Sequence, residues 1–286
     1  MDDDKYPEEG RRNFVKKVVG AGVLGSAGMF GVLGFDWSKQ KSGIGGGKTS
    51  YLGIEKVIGP APRGMPQIPL EIENGELMGR APAKDGSTIK GFDYSWDWFQ
   101  YCGIQSYPGV QPKFKSDDKF RYNSNGWQGK NDLSDKVMKV SDFSDWKEYK
   151  GPAKQATEGI GKPGWGTWRS ENVKKEIPVA VIKTDKQKLL DNAPSDSIKS
   201  WIDETCPEGF IAWLNKCTHF CCVPQGFQQS DFGCNEGNVC SANMVYCQCH
   251  QTRYNPFNVV SETMFSKPKP EPNEVLNSST FEVQGG

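Results

Sequence analysis

Both histidines of this chain, His219 and His250, sit inside two short cysteine-bearing segments, Cys217-Thr218-His219-Phe220-Cys221-Cys222 and Cys247-Gln248-Cys249-His250. A histidine is ordinarily a surface residue or a hydrogen-bonded core residue. With two histidines and nine cysteines in 286 residues, chance does not put both histidines into cysteine clusters. Each segment offers a thiolate and an imidazole in a tight loop after a strand-like run, so the fold must bring two loops together. Two cysteines and two histidines can hold a tetrahedral zinc ion. They can also hold a [2Fe–2S] centre, in which two imidazoles replace two thiolates on one iron. Zinc sites usually leave two to four residues between paired ligands, whereas a single residue separates Cys217 from His219. Each segment also carries a further cysteine, Cys222 or Cys249. Zinc has no use for these two, but a disulfide between the loops would clamp them over a cofactor in an oxidising compartment. The spacing therefore favours iron–sulfur.

The rest of the chain reads as mainly β. Strand-like runs rich in Val, Ile, Phe and Trp occur at 177–184 (IPVAVIKT), 209–215 (GFIAWLN), 244–248 (MVYCQ) and 280–284 (TFEVQ). Residues 197–204 (SIKSWIDE) read as a short helix. From about residue 176 to 286 the pattern is that of an antiparallel β domain carrying the cysteine motifs in its loops. Thirty-three glycines and eighteen prolines agree with a loop-rich β fold rather than a helical bundle. Residues 51–175 are irregular, polar and aromatic-rich, with an extension of that domain as one reading. Their cluster FDYSWDWFQY at 92–101 reads as a core strand or a contact surface, with a structural role favoured. Acidic and basic residues balance at 35 each, and no basic stripe marks a nucleic-acid partner.

The N-terminus reads as an export and anchoring device. Residues 1–17 carry Arg11, Arg12, Lys16 and Lys17, and an uncharged run follows at 18–35 (VVGAGVLGSAGMFGVLGF). As a helix it would span roughly 27 Å, close to a ~30 Å hydrocarbon core. The basic flank places the N-terminus in the cytoplasm and the body outside it. The arginine pair with Phe14 and Lys16 resembles a twin-arginine signal, with Gly10 and Val15 as departures. The alternative is a cleaved signal peptide, against which residues 36–38 offer no Ala-x-Ala site. Residues 36–50 (DWSKQKSGIGGGKTS) read as a flexible tether.

The motifs Cys-Thr-His-x-x-Cys and Cys-x-Cys-His resemble those of the Rieske iron–sulfur subunit of cytochrome bc-type quinol oxidoreductases. The stretch 251–257 (QTRYNPF) is similar to archaeal forms of that family. The likeness is specific over 209–257 and hardly covers 51–175. It implies a Rieske-type antiparallel β-sandwich and one [2Fe–2S] cluster, with Cys217 and Cys247 on the buried iron and His219 and His250 on the outer one. It also implies a Cys222–Cys249 disulfide, and hydroxyl hydrogen bonds from Thr252 and Tyr254 that raise the potential. Cys221 and Gln251 stand where glycine is usual, and Thr252 stands where serine is usual. The proline run at 267–272 is the expected cover for the cluster.

The resemblance implies a role as a respiratory electron carrier. His250 would receive a hydrogen bond and a proton from quinol in a pocket of a cytochrome b-type membrane subunit. The tethered domain would pass the electron to a c-type cytochrome or another high-potential acceptor. The chain alone is then a carrier and the complex is the enzyme. The alternatives are the small subunit of another exported oxidoreductase, such as an arsenite-oxidase-like complex, and an oxygenase-type Rieske ferredoxin, which lacks both export signal and disulfide. The remaining cysteines stay open: Cys234 with Cys240 and Cys206 with Cys221 are candidate pairs, which would leave Cys102 over.

Overall fold

The computed structural model describes residues 47–83, 88–151, 157–224, 226–227 and 243–266. The expected n-region 1–17, span 18–35, tether residues 36–46, Cys234, Cys240, the proline run 267–272 and the strand at 280–284 lie outside these residues. Among the described residues no helix is long and apolar enough to cross a membrane. The chain divides after Gly46, and all described residues belong to the unit that begins at Gly47.

That unit is mainly β and antiparallel. Among the described residues nine strands form one sheet in the order β11 (Gly226–Phe227), β12 (Val245–Cys247), β13 (Thr252–Ser266), β1 (Gly47–Ile58), β2 (Met65–Ile68), β10 (Phe210–Leu214), β9 (Ile177–Lys183), β8 (Lys162–Trp168) and β7 (Phe120–Tyr122). Two small hairpins, β3 (Leu70–Glu73) with β4 (Glu76–Gly79) and β5 (Thr88–Ile89) with β6 (Phe92–Asp93), lie outside it. The runs read as strands from their apolar residues, β9 and β10, are neighbours in the middle of the sheet. Every residue of β10 is buried, which is why its sequence FIAWL shows no alternation.

The expected helix is present as Asp196–Thr205. Ser195 caps it, its Oγ accepting from Ile198 N at 3.4 Å. Ile198, Trp201, Ile202 and Thr205, spaced i, i+3, i+4 and i+7, are its buried residues. Trp201 Nε1 donates to Gln67 Oε1 of β2 at 2.8 Å, so the buried indole is satisfied. The aromatic run at 92–101 is structural, but it is not a long strand. Ser95 opens a 3₁₀ helix, Trp96–Phe99, that buries Trp98 and Phe99, and Trp98 lies 5.2 Å from Trp201 between ring centroids. Burying side chains of this size is worth on the order of 2–3 kcal/mol each.

One feature departs from the sequence reading. The last part of the expected tether, residues 47–50, is the start of β1, because Gly47 to Ile54 pair one by one with Ser266 to Val259 of β13. Composition suggested a linker, but a partner strand over 200 residues away supplies the hydrogen bonds that fix it. Residues 51–175 also share the sheet with the C-terminal segment, contributing most of β1 and all of β2, β7 and β8.

One glycine sets the approach to the candidate site. Gly59 follows β1 with φ of +101°, and a Cβ built there would lie 2.5 Å from Thr252 Cα. Only a residue without a side chain lets this turn rest against the start of β13.

Candidate metal centre

Two loops at one end of the sheet carry the motifs. The first leaves β10 at Leu214 and is closed at its base by Asn215 Nδ2, which donates to Pro224 O at 2.7 Å. Inside it, Cys217 N donates to Cys222 O at 2.7 Å and Cys221 N donates to Cys217 O at 3.1 Å. This tight double turn holds Cys221 at φ +64°. The second loop is the tip of the β12–β13 hairpin, where Cys247 pairs with Thr252 and residues 248–251 make the turn. Gln251 there has φ +60°. A disulfide joins Cys222 to Cys249, with Cα atoms 6.7 Å apart, and so ties the two loops together.

The four expected ligands come together as two pairs. Cys217 and Cys247 are buried, 1% and 0% exposed, and lie close enough to shift one another's ionisation. The His219 and His250 rings lie 4.7 Å apart between centroids, edge to face at 81°. His250 is exposed and His219 half-buried. Phe220, 58% exposed, sits beside both imidazoles at 4.3 Å and 5.1 Å. The cysteines thus form the floor of the site and the histidines its rim.

The floor is built for negative charge. Tyr254 accepts from Thr218 N at 3.2 Å, and its hydroxyl lies 3.1 Å from Cys217 Sγ. Thr218 Oγ1 donates to Arg63 O at 2.6 Å and lies 3.3 Å from the Tyr254 hydroxyl, so the Tyr254 proton has two acceptors in reach, the Cys217 sulfur at 3.1 Å and Thr218 Oγ1. The thiol of Cys247 holds Cys217 below the ordinary thiol range, with Tyr254, the His219 backbone and Thr252 adding to the effect against burial. The same contact, with burial, pushes Cys247 far up, so the pair gives up one proton easily and the second reluctantly. Burial raises Tyr254, and the neighbouring Cys217 thiolate raises it further.

Among the described residues, His219 Nδ1 and Thr252 Oγ1 are buried polar atoms that make no well-formed hydrogen bond, although Thr252 lies near enough to Cys217 to help lower it. Thr252 is fully buried and sits at the Cys217–Cys247 floor. Such orphans are expensive, on the order of 1–3 kcal/mol each. A metal–sulfur group between the loops fits them: an imidazole nitrogen is left to ligate, and a hydroxyl is left to donate to sulfur. A single ion fits less well. Zinc bonds of ~2.0–2.3 Å put tetrahedral donors roughly 3.5 Å from one another. Among the described residues the group with three donor atoms within 4.8 Å is Cys222, Cys247 and Cys249, and two of those sulfurs are spent on the disulfide. No three of Cys217, His219, Cys247 and His250 form such a group.

The segment the motifs do not cover also reaches this site. A second disulfide joins Cys102 to Cys221, and Tyr101 Oη donates to Lys216 O at 2.8 Å. Lys216 Nζ in turn donates to Tyr107 Oη at 3.1 Å. The sequence leaves these pairings open, with Cys206 a candidate partner for Cys221 and Cys102 then left over; in the structure Cys102 takes that place. Cys206 is instead a free, buried thiol at the end of the helix, where Gln67 Nε2 donates to its sulfur at 3.2 Å and burial pushes it up to about 12. Arg63, Tyr101 and Cys102 are the contributors that sequence reasoning missed. The one signal for them in the sequence was the odd cysteine count, which does not say where a partner lies. No family model, no curated protein and no solved structure matches this chain.

Proposed function

We propose that the chain is a Rieske-type electron carrier that binds one [2Fe–2S] cluster through Cys217, His219, Cys247 and His250. The observation that carries this reading is the sorting of the four side chains into a buried cysteine pair and an outer histidine pair, of which His250 is exposed, on two disulfide-joined loops. A dinuclear centre with mixed ligation needs two such pairs. When bound, the cluster supplies a one-electron couple somewhere in the range of about −150 to +300 mV.

The chain's own residues do the rest. Cys217 and Cys247 exclude water from the inner side, and Tyr254 offers its proton to the Cys217 sulfur. Thr252 Oγ1, close to the Cys217 sulfur, offers a second such bond. Each bond favours the more negative, reduced state and raises the potential. His250 faces solvent, where a ring nitrogen not spent on iron can accept a hydrogen bond from a quinol hydroxyl and take its proton. Phe220 gives the rim an apolar shoulder suited to a ring-shaped substrate. The partners of this reading are quinol, a cytochrome b-type membrane subunit and a c-type cytochrome or similar acceptor. Residues 18–35 serve as the anchor that keeps the cluster domain on the extracytoplasmic side.

The test is metal and sulfide determination on freshly purified full-length protein. Iron and acid-labile sulfide should each be present at about two per chain, and the reduced form should give an electron paramagnetic resonance spectrum with an average g below about 2. Stoichiometric zinc without iron would overturn the reading.

A further inference from the structure

Two disulfides end on adjacent residues of the first loop: Cys221 bonds to Cys102, and Cys222 bonds to Cys249. Chain entropy does not choose between Cys221 and Cys222 as the partner of Cys249. The observed loop spans 27 residues and its rival 28, a difference too small to matter in loop-closure entropy. Local geometry does little to separate them either, since the two residues are neighbours in a single tight turn.

We infer that Cys102 is a pairing-fidelity residue, whose bond to Cys221 withdraws that thiol from exchange and leaves Cys222 alone to join Cys249. The structure prepares Cys102 for the task without help from the disulfide. Tyr101 docks on Lys216 O, and Cys102 Sγ lies 3.6 Å from Cys217 O, so the segment is seated on the loop at residues close to Cys221. Both Cys102 (φ +53°) and Cys221 (φ +64°) hold the left-handed conformation, which a residue with a side chain adopts at a cost. A simple spacer would be served by glycine at either place. Retaining cysteine at both, against that cost, is accounted for by the bond they make.

The reaction prevented is an isomerisation that needs no outside oxidant. A free Cys221 thiolate would attack the Cys249 sulfur, forming Cys221–Cys249. Cys222 would leave as the thiolate and take up the proton that Cys221 lost. The product would shift the clamp by one residue along a loop that also carries Cys217 and His219.

The test uses the full chain, with free thiols alkylated under non-reducing conditions and the labelled position located by fragment mass spectrometry of the peptide containing residues 221 and 222. The intact protein should carry no label at either position. Cys102→Ala should carry label on both, in a mixture, because either cysteine can hold Cys249. Cys102→Ala/Cys221→Ala should return to a single Cys222–Cys249 bond. Label confined to Cys221 in Cys102→Ala would overturn the inference, since Cys222 would then win unaided. Should Cys102→Ala fail to fold, the double variant decides: recovery of soluble protein supports the inference, and equal failure means that the bond is only a staple. Neither outcome depends on which metal the site binds.

Discussion

The hydroxyl of Tyr254 lies 3.1 Å from Cys217 Sγ, although 37 residues separate the two in the chain. The contact is made by strand register. Tyr254 pairs with Val245 of β12 on one side and with Lys56 of β1 on the other, which fixes the ring beneath the first loop.

Tyr254→Phe removes a donor to sulfur and the acceptor for Thr218 N. Fold stability should fall by about 1–3 kcal/mol, the usual cost of orphaning a buried donor. With the cluster retained, the midpoint potential should fall by roughly 40 mV for each ~1 kcal/mol by which the lost bond favoured the reduced state. Protein-film voltammetry reads the second effect and urea denaturation the first; an unchanged potential would remove Tyr254 from the tuning role.

Thr252→Val should behave differently. Its Oγ1 makes no well-formed hydrogen bond among the described residues, so replacing the hydroxyl with a methyl should leave apo stability unchanged or raise it by about 1 kcal/mol. The loaded protein should still lose potential. A loss of apo stability above ~1 kcal/mol in urea melts would mean that the hydroxyl has a structural role instead.

The metal-free protein should show a maximum in stability against pH. Cys217 is held below the ordinary thiol value by its neighbour Cys247. Its contribution is therefore complete above the unfolded value of roughly 8.5 and is lost as pH falls through the lowered folded value. Cys247 is held above that value by the same contact, so its contribution is complete below roughly 8.5 and is lost as pH rises. Urea midpoints should peak near pH ~8.5, and Cys217→Ser should flatten both limbs. A variant with the same pH profile as the parent would show that the limbs belong to other groups.

Gly59→Ala places a methyl 2.5 Å from Thr252 Cα at a positive φ. Both effects disfavour the substitution, and together they should cost more than ~2 kcal/mol. Since the displaced residue opens β13 at the second loop, iron content should fall along with stability. Full cluster occupancy in a destabilised Gly59→Ala protein would argue against coupling between this turn and the site.

The site is legible in the sequence where its information is local. Cys217, His219, Cys247 and His250 announce themselves by spacing, and β9 and β10 by unbroken apolar runs. What stays hidden depends on distant partners. Nothing near Gly47 marks it as strand, because its hydrogen bonds come from β13. Nothing near Cys102 points 119 residues ahead to Cys221. The two positions where the resemblance leads one to expect glycine, Cys221 and Gln251, are instructive. Both have positive φ, so the turns retain a glycine-like conformation while the residues do not. At Cys221 the disulfide helps hold the strained turn in place; the structure offers no such compensation at Gln251.

Within one small volume the chain keeps sulfurs in two oxidation states. Cys217 and Cys247 are free thiols, which the proposed ligand role requires, yet Cys247 Sγ lies within 4.8 Å of both sulfurs of the Cys222–Cys249 bond. An oxidant that met the bare polypeptide would find a reactive thiolate at Cys217 beside sulfurs that should be joined to one another. Under the proposed function this arrangement implies a schedule for biogenesis: iron would claim its two thiolates first, and oxidation of the outer cysteines would come afterwards. A cell that loads the protein in this way would keep those two steps apart in time or in space.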